Sequence, residues 1–296
     1  MRPPARIEVS RPDKQLWPAS GITKRRYVDY LEAVSAHMLP WLRGRPLSMV
    51  RAPDGVGAER YFQKSVPTYA PPWIRTVRIH APSAGRDVDY VVCEDAATLA
   101  WLGNQAVVEF HPAPVRRDRL DRLDLIVVDI DPPEGAFDAA VEVTRLVLEV
   151  LDDLGLPCGI KTTGGKGIHV VVPVQRRLDE SGTRRAADAL ASIVASRAPE
   201  LVTTAFRKAE RRGRVMLDPS RNGAGATFVA PYSPRASDLG TVSFPIDPAQ
   251  LGAVDPGAFT LLTVPGLLGT QGPRRWRELA EGQRPRVPAR LFRSPD

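Results

Sequence analysis

Apolar residues recur at three- and four-residue spacing from Tyr27 through Leu31, Val34 and Met38 to Leu42, which predicts an amphipathic helix over 24–42 capped by Thr23. Lys24 then sits at the positive end of that helix. Short apolar runs between Pro- and Gly-containing turns predict strands at 47–50, 60–64, 74–79 and 88–93, as in an antiparallel or mixed sheet. A short helix at 96–104 precedes a strand at 107–110. From Leu123 the pattern changes to a strand at 125–130, a long helix over 138–154, strands at 159–162 and 168–174, and a helix over 180–197. Short strands at 215–217, 226–230 and 242–245 lead into a Pro/Gly/Arg-rich arm over 265–296. The elements predict a mixed α/β (α+β) fold with no internal repeat: a single domain over 1–296 with two lobes, about 1–120 and 121–296.

The strand at 125–130 runs into two acids one residue apart, Asp129 and Asp131. Strand side chains alternate, so both point to one face, roughly 7 Å apart at about 3.3 Å rise per residue. That spacing suits carboxylates gripping hard divalent cations, or acids simply facing water. Asp87 and Asp89 repeat the pattern in a polar stretch that reads as solvated surface. A third acid, Asp218, ends another short apolar strand; three such acids in one sheet can hold the two metals of nucleotidyl transfer, about 3.5–4 Å apart.

Between two strands lies Lys161-Thr162-Thr163-Gly164-Gly165-Lys166-Gly167-Ile168-His169. The glycines let the backbone approach a ligand and turn N–H groups toward phosphate, with Lys166 and His169 adding donors. A tight hairpin around a buried core histidine reads equally well. The segment is neither a Walker loop nor a dinucleotide fingerprint. His111 ends the strand at 107–110, and Arg207, Lys208, Arg211, Arg212 and Arg214 cluster just ahead of Asp218.

Composition narrows the partner. The chain has 296 residues, 43% of them hydrophobic, enough for a sizeable core, and 41 Lys+Arg against 34 Asp+Glu, a formal charge of +7. That balance favours a polyanion, nucleic acid first. Only Lys14, Lys24, Lys64, Lys161, Lys166 and Lys208 are lysines. Cys93 and Cys158 cannot build a disulfide framework or a Cys-rich metal site, which points to a reducing compartment. With no 18-residue apolar run and no signal-peptide core in the first ten residues, the expectation is a soluble, cytoplasmic, nucleoid-associated protein with no membrane partner.

In order, these motifs resemble the archaeo-eukaryotic primase superfamily, and within it the polymerase domains of bacterial ligase D, from about Val9 to at least Arg235. Asp129-Ile130-Asp131 is similar to the first catalytic motif, Thr163 to His169 to the second, Asp218 to the third, and Val108 to Pro112 to a further active-site segment. Arg11 to Pro18 with Gly21 to Lys24 resembles the family's DNA 5′-phosphate segment. Arg51 to Gly55 with Arg60 to Lys64 resembles its nucleotide and template segment, and Asp218 to Gly223 through Arg235 its run after the third carboxylate. The family usually has Asn at Arg11, Ser at Thr163 and often His at Ser65.

The resemblance implies a two-lobed primase-polymerase fold and a DNA-directed nucleotidyltransferase that extends 3′ ends and fills gaps in non-homologous end joining. It implies Asp129, Asp131 and Asp218 as holders of two Mn²⁺ or Mg²⁺ ions. His111, Thr163, Gly164, Gly165, Lys166, Gly167, His169, Arg211 and Arg235 would bind the NTP or dNTP, with ribonucleotides preferred. Tyr61, Phe62, Arg51 and Lys64 would serve base stacking and template, and Arg11, Lys14 and Lys24 a DNA 5′-phosphate at gaps or breaks. A DNA ligase, fused or in trans, and the end-binding protein Ku are the implied partners, because no Lys-x-Asp-Gly ligase motif occurs. A primer-synthesising primase, an Asp-x-Asp phosphatase or glycosyltransferase, and a non-catalytic DNA-end binding module are the competing readings. Pro133 disfavours the haloacid phosphatase pattern, and a sugar-nucleotide transferase leaves Lys14 and Lys24 without a use.

Overall fold

The computed structural model describes residues 3–4, 6–81, 85–223 and 225–292. It divides into two compact units, one of Met1–Ala113, Val229–Phe244 and Gly257–Gly269, the other of Pro114–Phe228, Pro245–Pro256 and Thr270–Asp296. The change of unit falls after Ala113 rather than near 120, and two later segments return to the first unit. Among the described residues no helix is long and apolar enough to cross a membrane.

In the first unit, β1 (Gln15–Trp17) and β2 (Ile22–Thr23) form a short antiparallel pair leading into α1 (Lys24–Leu42). The helix starts where its periodicity put it because Thr23 Oγ1 accepts the Arg26 N–H. β3 (Pro46–Arg51), β4 (Tyr61–Gln63), β5 (Arg75–Ala81), β6 (Arg86–Val92), α2 (Ala96–Asn104) and β7 (Val107–Pro112) follow. β3 pairs antiparallel with β7 along its length, with β6 at its start and with β4 at its end. Alternation then sorts the side chains. Leu47, Met49, Val108 and Phe110 join Tyr27, Leu31, Val34 and Met38 of α1 in one core. Val50, Glu109, His111 and Phe62 share the other face, fixed by the pairs Val50↔Glu109, Ser48↔His111 and Val50↔Phe62. Asp87 and Asp89 stay on the surface, paired with His80 and Arg78 across the β5–β6 hairpin.

The second unit begins with a polar hairpin, β8 (Val115–Arg116) and β9 (Arg119–Leu123), then β10 (Leu125–Asp131), α3 (Phe137–Asp153), β11 (Gly159–Thr162), β12 (Ile168–Pro173), α4 (Glu180–Arg197), β13 (Val202–Thr203), α5 (Lys208–Arg211), β14 (Val215–Asp218), β15 (Pro245–Ile246) and α6 (Gln271–Glu281). Its sheet has the order β13-β14-β10-β12-β11-β15, antiparallel except for β13 with β14. Ile126, Val128 and Ile130 of β10 pack with Val143 and Val147 of α3 and Leu190 and Val194 of α4. The odd-numbered residues of β10, Asp129 and Asp131 among them, therefore face away from those helices.

Two predicted strands are not formed as expected. Residues 226–230 are buried at Phe228, Val229 and Ala230 but have no ladder, with Ala230 N–H donating to Phe110 O in a single bond. Of 242–245 only Pro245 lies in a strand, while Val242 makes an isolated bridge to Pro234. Pro231, Pro234 and Pro245 remove the donors a continuous ladder needs. The arm over 265–296 contains a real helix, α6, whose Trp276 is 1% exposed and donates from Nε1 to Ile160 O. The last four residues of the arm lie outside the described ones.

Candidate active site

The second unit's register gathers the predicted carboxylates. Asp129 of β10 stands opposite Asp218 of β14 on one side and His169 of β12 on the other, and His169 stands opposite Lys161 of β11. Directly opposed residues share a face, so Asp218, Asp129, His169 and Lys161 form one polar row across four strands. Asp131 joins that face two residues on. Opposed Cα atoms lie about 4.5–5.5 Å apart in such pairs, so Asp129 and Asp218 are neighbours by backbone geometry.

Each acid has basic company. Asp129 Oδ2 accepts from Arg221 Nε at 2.9 Å, and its Oδ1 lies 3.3 Å from His169 Nε2. Asp131 is held between Arg211 Nη1 at 2.7 Å and Lys166 Nζ at 3.0 Å. Asp218 Oδ1 accepts the Ser220 N–H at 2.8 Å. Burial works against ionisation of Asp129, but the positive groups beside it outweigh burial and hold its carboxyl well below the usual range. Burial and the Lys161 charge push His169 down to about 4, so the ring is neutral at pH 7 and Arg221 is the standing countercharge to Asp129.

The glycine loop is folded on itself. Thr163 Oγ1 accepts the Gly165 and Gly167 amides, each at 3.2 Å, and donates to Gly167 O at 3.1 Å. Two of the amides and the hydroxyl expected to face phosphate thus organise the loop in this structure. Gly164 takes a left-handed φ of 71°, and Gly167 leaves no room for a Cβ against Ile130 O. Lys166 Nζ reaches over to Pro132 O at 2.7 Å. Arg211 bonds Phe206 O as well as Asp131, while its buried Nε has no partner among the described residues and remains a donor for an anion.

The donor set, three carboxylates, fits hard divalent cations in kind. Among the described residues no three His, Cys, Asp or Glu side chains are gathered closely enough to enclose an ion. Arg211, Lys166 and Arg221 occupy the carboxylate oxygens instead. Three carboxylates thus face three exchangeable cationic partners, the charge that divalent ions would replace.

The first unit carries two further clusters. His111 Nε2 lies 2.8 Å from Glu109 Oε2, which also takes Arg235 Nη1 at 3.1 Å; Glu109 Oε1 accepts the Ala236 N–H. Burial opposes ionisation of Glu109, yet these partners keep its carboxyl below the usual range. The Phe62 ring, 58% exposed, lies with its centroid 6.4 Å from that of His111. The second cluster lines a pocket of about 380 Å³ with Ser10, Arg11, Lys14, Lys24, Arg51, Asp54 and Asn104. Lys14 Nζ pairs with Asp54 at 2.8 Å and Lys24 Nζ reaches Ser10 Oγ at 3.3 Å. Burial, then Lys14 and Arg11, lower the Lys24 ammonium below its ordinary 10.5. Arg11 has a left-handed φ of 48°, and Asn104 Oδ1 pins the loop through Ser10.

The set predicted for base and template is split. Arg51 lines the basic pocket and bonds Gln105 O and Gln63, Phe62 belongs with His111 on the opposite face of β3–β4, and Lys64 and Tyr61 are exposed. Sequence reasoning gave no role to Lys161, Glu109, Arg221 or Asn104. The alternation that pairs Glu109 with His111 was readable from two-residue spacing; Lys161 needed the β11–β12 register.

A carboxylate pair on one strand, a third acid on its neighbour and a cationic glycine loop alongside define a nucleotidyltransferase of the polymerase class. The family model for the LigD primase-polymerase domain matches residues 23–276, and the chain belongs to that family. It is 35% identical over 243 residues to the multifunctional non-homologous end joining protein LigD of Mycolicibacterium smegmatis, covering 81% of this chain and 32% of that protein. To the bifunctional LigD of Bacillus subtilis it is 31% identical over 270 residues, covering 90% and 43%. The chain thus spans less than half of these relatives. The structure is similar to the polymerase domain of Mycobacterium tuberculosis ligase D in complex with DNA, with a TM-score of 0.86, 30% identity, and coverage of 94% of this chain and 99% of that one.

Proposed function

We propose that this chain is a DNA-directed polymerase that fills gaps and extends 3′ ends at double-strand breaks in bacterial non-homologous end joining, with ribonucleotides preferred. The observation that carries the reading is the register that puts Asp129, Asp131 and Asp218 on one sheet face beside Lys166 and Arg211. Bound there, two Mn²⁺ or Mg²⁺ ions would neutralise the triphosphate and lower the pKa of a primer 3′-hydroxyl. Arg211, with its spare Nε, and Lys166 release Asp131 and turn to the triphosphate; His169 presents its ring to the same face. Phe62 stacks on a base, worth about 1–3 kcal/mol, and Glu109 orients His111 toward the nucleotide, with Arg235 behind it.

Lys14, Lys24 and Arg11 clamp the 5′-phosphate that marks the far side of a gap. Two ammonium groups and a guanidinium in one pocket, one of them with a depressed pKa, form a site whose own charges repel until a dianion arrives. A ligase and Ku complete the joining reaction in this reading, at the nucleoid. Single-nucleotide gap filling with a 5′-phosphate or a 5′-hydroxyl downstream, NTP against dNTP, tests it. Wild type should favour the 5′-phosphate gap, and Lys14→Ala with Lys24→Ala should erase that preference while keeping basal extension. Equal use of both gaps by wild type would refute the assignment of the pocket.

A further inference from the structure

Lys161 is fully buried, at 0% exposure, in the strand next to His169, and its Nζ lies 3.1 Å from His169 Nδ1. An ammonium has three donors and no acceptor. Nδ1 must therefore offer its lone pair, which leaves the single proton of a neutral imidazole on Nε2, 3.3 Å from Asp129 Oδ1. With the opposite tautomer two protonated nitrogens would face each other at Lys161, and a ring lone pair would face a carboxylate oxygen at Asp129.

We propose that Lys161 is a positioning residue: it holds His169 as the Nε2–H tautomer, so that a donor rather than a lone pair meets Asp129 and the phosphate oxygens of a nucleotide bound at that face. The backbone enforces the contact. β11 pairs Lys161 with His169 and β12 pairs His169 with Asp129, so neither side chain depends on a loop for its place. Ile160 and Ile168, their strand neighbours, anchor the other side of the sheet in the core. The arrangement is that of a partner behind a functional histidine, whose loss typically costs about 10- to 100-fold in activity or affinity.

The inference rests on Asp129 being a catalytic carboxylate, but its main readout does not. The test is ¹⁵N-histidine NMR of the whole chain at pH 7 without added metal, with His169→Gln used to assign the His169 ring among the four histidines. The wild type should show His169 as Nε2–H. In Lys161→Met, which fills the buried space without a donor, the ring should move toward Nδ1–H. The melting temperature should stay near that of wild type, and kcat/KM for the incoming nucleotide should fall about 10- to 100-fold. A merely structural lysine would lower the melting temperature and leave the tautomer unchanged. An Nδ1–H ring in the wild type, or an Nε2–H ring that persists in Lys161→Met, overturns the proposal. If Lys161→Met does not fold, the wild-type spectrum decides alone, Nε2–H supporting the proposal and Nδ1–H ending it. A wild type with the stated tautomer and no gap filling would refute the polymerase reading and leave the hydrogen-bond assignment standing.

Discussion

Gly167 sits at the closest backbone approach in the candidate site, and an added methyl there is the sharpest local perturbation available. A Cβ on Gly167 falls inside 3.0 Å of Ile130 O, with the Ile130 carbonyl carbon at 3.5 Å and Pro132 Cδ at 3.7 Å. An ordinary C···O contact needs about 3.3–3.6 Å, so one strand end must give by several tenths of an ångström. The loop cannot yield easily, because Gly167 bonds Thr163 through both its N–H and its carbonyl. What moves instead is the segment 130–132, with Asp131 at its centre. Overpacking of this kind costs about 1–3 kcal/mol, and a displacement approaching 1 Å at a reacting group costs on the order of 100-fold in rate. Gly167→Ala should therefore lose about 1–3 kcal/mol in urea unfolding and on the order of 10- to 100-fold in gap-filling kcat/KM. Gly165→Ala is the control: its nearest neighbour, Thr163 Oγ1, would be at 3.5 Å, an ordinary contact, so both quantities should stay close to wild type. Wild-type stability and activity in Gly167→Ala would refute the argument that this approach positions Asp131.

Two other outcomes follow from the same structure. Trp276→Ala removes a 1% exposed indole and its bond to Ile160 O, and should destabilise the chain by about 3–5 kcal/mol in urea unfolding; an unchanged midpoint would mean that α6 is not integral to the second unit's core. The lowered pKa of Lys24 gives a pH dependence: below the ordinary 10.5 the unfolded chain holds this proton more firmly than the folded one, so this group's contribution to stability rises with pH through that window. Binding of a 5′-phosphate needs the charged form and should weaken as the pH rises toward the depressed pKa, in the field of Lys14, Arg11, Arg51 and Asp54. Fluorescence anisotropy between pH 7 and about 10 should show that loss for 5′-phosphate gaps and not for 5′-hydroxyl gaps. Lys24→Arg should flatten it.

Local signals carried the helices furthest. Thr23, Asp95 and Asp179 all cap helices through side-chain oxygens, and the helices beginning after them are those the periodicity marked. The strand acids were legible as a pair because two-residue alternation is a property of the strand alone. That Asp218 stands opposite Asp129, and Lys161 opposite His169, is a matter of register between distant segments, which no local pattern encodes. Residues 226–230 show the reverse failure: apolar enough to be buried, they were read as a strand, but tertiary burial came without a ladder. Helix α6 was hidden because Arg, Pro and Gly dominate its surroundings and one buried tryptophan, rather than a repeating apolar stripe, ties it down. The glycine loop was recognisable as a phosphate-binding type of sequence, yet its use of Thr163 to hold its own amides is visible only in three dimensions.

The central claim is that Asp129 and Asp131 carry nucleotidyl transfer. It is tested most directly by extension of a single-nucleotide gap with a downstream 5′-phosphate, NTP and Mn²⁺ or Mg²⁺, comparing wild type with the Asp129→Asn, Asp131→Asn double variant after circular dichroism has shown both to be folded. The account predicts one-nucleotide extension by wild type that disappears without divalent metal, and no extension by the double variant. Undiminished extension by the folded double variant would contradict it.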